Sequence, residues 1–154
     1  MEKERSRLVT LLEHIQSLAK GARVRIVEKL PHSFQLMDLD SAYHHLVPPI
    51  IHINRPLVDP LANETYWVLL HELGHANDPN IDSHSTLRAE IYAWEWALNN
   101  TLVWTADAHA FMSYSLGTYF TAPVLLLPNP EIDKPGASRL RDKVLIMSLE
   151  LSLR

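Results

Sequence analysis

The chain has 154 residues, no cysteine and a formal net charge of −4. This length fits a single folded domain with a sizeable buried core. The lack of cysteine excludes disulfide bonds and thiolate metal sites and is compatible with a reducing compartment, so we expect a cytoplasmic protein. The weakly acidic balance argues against a nucleic-acid-binding surface, and no run of apolar residues reaches the roughly 20 needed to span a membrane.

The first third of the chain predicts one amphipathic helix and about three short strands. Apolar residues at helical spacing predict a helix over residues 2–19, with Gly21 as its C-cap. Apolar residues that alternate with polar ones predict the strands. The residues that mark them are Val24, Ile26, Phe34, Leu36, Ile51 and Ile53. Because Pro48 and Pro49 precede the third strand, we expect it at an edge of the sheet, where residues 50–54 could pair with an extended peptide.

Residues 71–75 read His-Glu-Leu-Gly-His within a strongly helical stretch. Positions four apart lie on the same face of a helix, so the imidazoles of His71 and His75 can bind one metal ion together. The carboxylate of Glu72 projects beside them, where it can take a proton from a metal-bound water. The motif therefore predicts the zinc site of a hydrolase, with a peptidase as the first expectation.

The helices around and after this motif are predicted from their start and stop signals. Asp59 and Pro60 are suited to begin the helix that carries the motif, and Asn77 to end it. A largely apolar helix is expected near residues 101–119. After a proline-rich connection, Ser138 is the expected cap of a last helix. The apolar stripe of that helix consists of Leu140, Val144, Leu145 and Leu149.

A catalytic zinc usually takes three protein ligands and leaves a fourth position for water. The candidates for the third ligand are Asp82, His84, Glu90 and Glu95. The two glutamates belong to a helix expected over residues 86–98, with Ser85 as its N-cap. Glu90 shares a face with small and apolar residues, whereas Glu95 points about 140° away. Glu90 is therefore the favoured ligand, and the alternative for it is a partly buried carboxylate paired with a histidine.

Three segments of the chain resemble the ImmA/IrrE metallopeptidases. They are Pro49–Asn54, Tyr66–His75 and Glu90–Ala97. The resemblance covers roughly residues 23–100 and implies an α+β fold in which a small antiparallel or mixed three-stranded sheet packs on helices, a minimal zincin-like metallopeptidase fold. It also implies a single metallopeptidase-like domain over residues 1–154, with a core over about 23–100 and a helical C-terminal part over 101–154.

By the same resemblance, His71, His75 and Glu90 match the zinc ligands and Glu72 matches the catalytic base. We expect a zinc-dependent endopeptidase that hydrolyses peptide bonds of a protein substrate, and the resemblance implies a helix-turn-helix transcriptional repressor of a phage or mobile element. The alternative is a non-hydrolytic, zinc-containing protein-interaction or regulatory module, although such a module would not need Glu72. A zinc hydrolase acting on a non-peptide bond is a weaker option. The expected partner is thus a protein or peptide, with no nucleic acid and no membrane.

Overall fold

The computed structural model describes residues 2–29, 41–44, 48–53, 62–83, 85–121 and 134–154. Within these residues the helices are α1 (Glu2–Gly21), α2 (Ala62–Ala76), α3 (Thr86–Asn100), α4 (Ala106–Thr121) and α5 (Lys134–Ser152). The strands are β1 (Arg25–Val27), β2 (Ser41–His44) and β3 (Ile50–Ile53). The fold is therefore mostly helical and broadly α+β, which confirms the expected class, whereas the zincin-like fold stays a prediction.

The chain divides into two compact units, residues 1–77 and residues 78–154. The first unit holds α1, the sheet and α2, and the second holds α3, α4 and α5. The expectation of one metallopeptidase-like domain over residues 1–154 stays a prediction. None of the described helices combines the length and the apolar character needed to cross a membrane.

The sheet has three described strands in the order β1–β3–β2. β3 runs parallel to β1 and antiparallel to β2, so the sheet is mixed. The prediction that β3 is an edge strand is wrong, because β3 pairs on both sides: Ile51 has Ile26 and Tyr43 as its neighbours. The two prolines precede the strand, so their missing N–H groups break no bond of the ladder. The carbonyl of Pro49 even accepts a hydrogen bond from the amide of Arg25 at 3.1 Å.

One face of the sheet forms the core of the first unit. Helix α2 contacts β2 and β3, and α1 contacts β1 and α2. Ile51 and Ile53 of β3 are fully buried, and Ser41 of β2 pairs with Ile53, so its side chain shares their face. Other buried apolar residues of this unit are Leu11, Ile15, Val24, Leu69, Leu70 and Leu73. The strand expected around Phe34 and Leu36 lies outside the described residues.

Helix α1 extends two residues beyond the predicted end and lacks the expected glycine cap. Gly21 belongs to the last helical turn, and Arg23 adopts the left-handed conformation instead, with a φ of 56°. The amide of Arg23 donates to the carbonyl of Lys20 at 3.1 Å, and the amide of Val24 donates to the carbonyl of Ala19 at 2.9 Å. These bonds satisfy carbonyls at the helix end, so an arginine holds a position that glycine usually occupies.

The first two helices of the second unit begin at hydroxyl caps. The side chain of Ser85 accepts a hydrogen bond from the amide of Arg88 at 3.3 Å, which confirms Ser85 as the N-cap of α3. Thr105 Oγ1 accepts from the amide of Ala108 at 3.3 Å in the same way. Because this cap follows Thr101–Trp104, which are not helical, α4 begins later than the sequence predicted.

Helix α5 begins at Lys134, so the prediction of a start at Ser138 is wrong. Its buried residues include Ala137, Val144 and Ser148. Leu140 and Leu149, which belong to the predicted apolar stripe, are 39% and 48% exposed. Residue 149 lies about 100° around the helix from residue 148 and falls outside the buried face that Val144 and Ser148 mark. Small side chains on the buried face suit the contact that α5 makes with α3 and α4.

Candidate metal centre

Helix α2 is buried along most of its length. Residues 65–70 and Leu73 are all buried, which agrees with a sequence that is apolar on two sides of the helix. The helix ends where predicted, because the side-chain amide of Asn77 donates to the carbonyl of Leu73 at 2.8 Å. Asp59 and Pro60, the predicted start, lie outside the described residues. A helix held this firmly provides a rigid platform for the motif.

The two motif histidines differ from their buried neighbours. His71 and His75 are partly exposed, so a small ligand can reach them from solvent. Their rings meet edge to face, with centroids 4.6 Å apart and an interplanar angle of 76°. The spacing of four residues thus brings both imidazoles to one side of α2, as the sequence predicted.

Glu90 lies on the buried face of α3 and is 8% exposed. Buried residues share this face, as the helical spacing predicted; they are Leu87, Ala93, Trp94 and Ala97. Glu95 lies on another face, and its carboxylate accepts a hydrogen bond from Lys143 Nζ at 3.5 Å. Because the side chain of Glu95 is 36% exposed, the two glutamates divide between a buried and a solvated face.

Donor atoms of His71, His75 and Glu90 all lie within 4.8 Å of one another. This group could hold a metal ion. Ligands placed about 2.0–2.2 Å from a tetrahedral zinc ion lie roughly 3.4 Å apart. Two imidazoles and a carboxylate are also a donor set that catalytic zinc sites use.

Two of the remaining candidates for the third ligand do not join this group. Asp82 is exposed in the turn before α3, and Glu95 faces solvent beside Lys143. His84 lies outside the described residues. Within the part of the chain that the structure describes, Glu90 is the carboxylate that accompanies the two histidines.

Glu72 is a buried carboxylate, 5% exposed, that lies beside the first histidine. Its Oε1 accepts a hydrogen bond from Ser41 Oγ at 2.6 Å and lies 3.7 Å from His71 Nδ1. Burial alone would raise the pKa of Glu72. The close approach of His71, the neighbouring ring of His75 and the hydrogen bond from Ser41 together outweigh burial and lower the pKa below its ordinary value. Glu72 is therefore ionised at neutral pH.

Sequence reasoning missed Ser41. The residue pairs with Ile53, and this register turns its side chain to the face that contacts α2. Two positions along β2, Tyr43 faces the same way, since side chains of a strand alternate. Residues 41–44 are not among the strands that alternation predicted, and alternation cannot show which helix residue a strand side chain meets.

The chain matches no known protein-family model, no curated protein sequence and no solved structure. The resemblance to the ImmA/IrrE metallopeptidases therefore stays a prediction. What the protein can do has to be inferred from the side chains of α2, α3 and β2.

Proposed function

We propose that the chain is a zinc-dependent endopeptidase in which His71, His75 and Glu90 bind the zinc ion and Glu72 is the general base. The observation that carries this proposal is a buried carboxylate, Glu72, directly beside the group that could hold a metal. Catalytic zinc sites combine three protein ligands with an open position and a nearby base. A metal site with a purely structural role would have no use for such a base.

Zinc bound to this group would act as a Lewis acid that polarises a carbonyl and makes water easier to deprotonate. The carboxylate of Glu72 lies directly beside this group, and it would accept a proton from the attacking water. The water oxygen bonds to the peptide carbon, the carbon–nitrogen bond breaks, and Glu72 passes the proton to the leaving amine. One product ends in a carboxyl group and the other in an amine, and Glu72 is ionised again.

We expect the substrate to bind along β2 rather than β3, because β3 is paired on both sides. β2 is an outer strand of the described sheet and contacts α2, and its first residue, Ser41, donates a hydrogen bond to Glu72. An extended peptide that pairs with an outer strand exposes its carbonyl groups in regular order. By resemblance alone, the substrate is a helix-turn-helix repressor and the location is the cytoplasm.

Metal content tests the ligand assignment. Zinc is supplied to the wild type, Glu90→Ala and Glu95→Ala, and bound metal is measured by elemental mass spectrometry. We expect about one zinc per chain in the wild type and in Glu95→Ala, and strong loss in Glu90→Ala. Glu95→Ala is the matched control, since Glu95 lies on the solvated face of the same helix. A wild type without bound metal would overturn the proposal, and full retention in Glu90→Ala would move the third ligand elsewhere.

Cleavage of a mixed peptide library, analysed by mass spectrometry, tests the reaction. The zinc-loaded wild type should cut, whereas Glu72→Gln should keep its zinc and cut about 100-fold or more slowly. Glutamine has nearly the same shape as glutamate but no basic carboxylate. Turnover of small esters or amides without peptide cleavage would identify a non-peptide hydrolase. A non-hydrolytic module would bind zinc without hydrolysing any substrate, and its Glu72→Gln variant would keep the full biological activity of the wild type in cells.

A further inference from the structure

Building on the proposed function, we propose that Ser41 positions the general base: its hydroxyl anchors Oε1 of Glu72 and leaves Oε2 as the oxygen that takes the proton. Ser41 Oγ donates to Glu72 Oε1 at 2.6 Å, although the two residues are 31 positions apart in sequence. This distance is typical of a hydrogen bond from a hydroxyl to an ionised carboxylate. Ser41 acts through Glu72, so it is a positioning residue and not a catalytic one.

The sheet fixes the direction in which the Ser41 hydroxyl points. Ser41 is the Cα partner of Ile53 in the antiparallel pair of β2 and β3. Ile53 and Ile51 are fully buried, so this register is held by the core of the first unit. A slip by one residue would turn Ser41 to the opposite face and move it away from α2. The hydroxyl is therefore held by the same packing that holds the helix with Glu72.

The contacts of the Glu72 carboxylate are concentrated on one oxygen. Both the hydrogen bond from Ser41 and the 3.7 Å approach of His71 Nδ1 involve Oε1. A half-turn about the last side-chain bond exchanges two equivalent oxygens and restores the bond to Ser41, so at any time one oxygen is held and the other is left over. The oxygen left over, here Oε2, thus keeps one orientation, and a fixed orientation of the acceptor lowers the entropic cost of proton transfer.

A positioning role makes a specific prediction for the Ser41→Ala variant. The hydroxyl donates its hydrogen bond to Glu72, which is not one of the three proposed zinc ligands, so zinc content should not change. Misplacing a catalytic group by about 1 Å can cost about 100-fold in rate. We therefore expect kcat to fall by roughly 10- to 100-fold while KM stays within about threefold of the wild type.

The test uses the full chain loaded with zinc and the variants Ser41→Ala, Ser41→Thr and Ser41→Val. Threonine keeps the hydroxyl, and valine has nearly the same shape without it, so this pair isolates the hydroxyl. The probe is a fluorogenic version of one peptide that the wild type cuts in the library. We expect kcat of Ser41→Thr to stay near wild type and kcat of the valine and alanine variants to fall. Equal kcat values for the threonine and valine variants would overturn the proposal.

A second measurement needs no cleavage. The metal-free wild type, Ser41→Ala, Glu72→Ala and the double variant are unfolded in urea. A hydrogen bond to a charged group predicts that Ser41→Ala raises the unfolding equilibrium constant about tenfold when Glu72 is present. In the Glu72→Ala background the same substitution should change it by less than about threefold. Equal effects in both backgrounds would show that the hydroxyl does not act through Glu72 and would overturn the proposal.

The two measurements separate failure of this inference from failure of the proposed function. A wild type that binds zinc but cuts no peptide would overturn the endopeptidase. The urea experiment would still decide whether Ser41 holds the Glu72 carboxylate, because it uses metal-free protein and no substrate. Coupling between the two residues would support the inference, and independent effects would reject it.

Discussion

A fully buried serine joins three segments of the second unit. Ser148 of α5 is 0% exposed, and its Oγ accepts a hydrogen bond from Trp104 Nε1 at 3.0 Å. The same oxygen lies 2.8 Å from His109 Nδ1 of α4. Trp104 in turn meets Trp94 of α3 edge to face, with centroids 6.4 Å apart. Ser148 therefore supports the helix that carries Glu90, and we predict that Ser148→Ala destabilises the protein by about 2 kcal/mol.

The magnitude follows from the groups that lose a contact. An indole N–H can only donate, and Trp104 is 8% exposed, so water cannot easily replace the serine. Removing the partner of a buried donor costs about 1–3 kcal/mol. His109 is partly exposed, so water can take over its lost bond and adds little to the cost. A loss of about 2 kcal/mol corresponds to a fall in Tm of roughly 4–8 °C for a chain of this size.

Urea unfolding, followed by tryptophan fluorescence and far-ultraviolet circular dichroism, measures this loss. Ser152→Ala is the matched control, because Ser152 lies one turn further along α5 and its exposed hydroxyl only donates to the carbonyl of Leu149 at 2.7 Å. We expect the control to change stability by less than about 0.5 kcal/mol. If Ser148→Ala is as stable as the control, the serine does not hold the indole and the reasoning is refuted.

Two further predictions concern pH and the orientation of α5. Burial lowers the pKa of His14, whose Nδ1 lies 2.9 Å from Tyr66 Oη. The folded state then favours the neutral ring, so stability should fall as pH drops below about 6.5, where the unfolded chain binds the proton first. His14→Gln should reduce the stability difference between about pH 7.5 and about pH 5.5, and an unchanged difference would contradict this. Val144 is 1% exposed, so Val144→Ala should lower the free energy of unfolding in urea by about 2 kcal/mol. Leu149 is 48% exposed, so Leu149→Ala should lower it by less than about 0.5 kcal/mol. Equal losses for the two variants would contradict the orientation of α5.

The helix face on which each candidate metal ligand lies could be predicted from sequence because it depends on helical geometry. A spacing of four residues brings His71 and His75 together on α2, and the 100° rotation per residue separates Glu90 from Glu95 on α3. Both relations are local, so neither requires knowledge of the tertiary fold. The cap at Ser85 was predictable for the same reason, since its hydroxyl bonds only three residues ahead.

The order of the strands could not be predicted, because pairing joins residues distant in sequence. Two prolines before β3 suggested an edge, yet the strand begins after them and pairs on both sides. The contact of Ser41 with Glu72 depends on that pairing and on the packing of α2 against the sheet. The predicted start of α5 was wrong for a related reason. Ser138 has the chemistry of a cap, but the helix already begins at Lys134.

Because Glu72 is buried, its effect on stability can show whether the carboxylate has a catalytic or a structural role beside the metal group. Replacing a buried, hydrogen-bonded polar pair by apolar groups of similar size is often neutral or stabilising. We therefore predict that the double variant Ser41→Ala/Glu72→Leu is at least as stable as the wild type in metal-free urea unfolding and cuts no peptide. A chain that keeps a costly carboxylate without a gain in stability keeps it for its chemistry. If the double variant instead lost several kcal/mol, Glu72 would be a structural residue and the argument for a general base would fail.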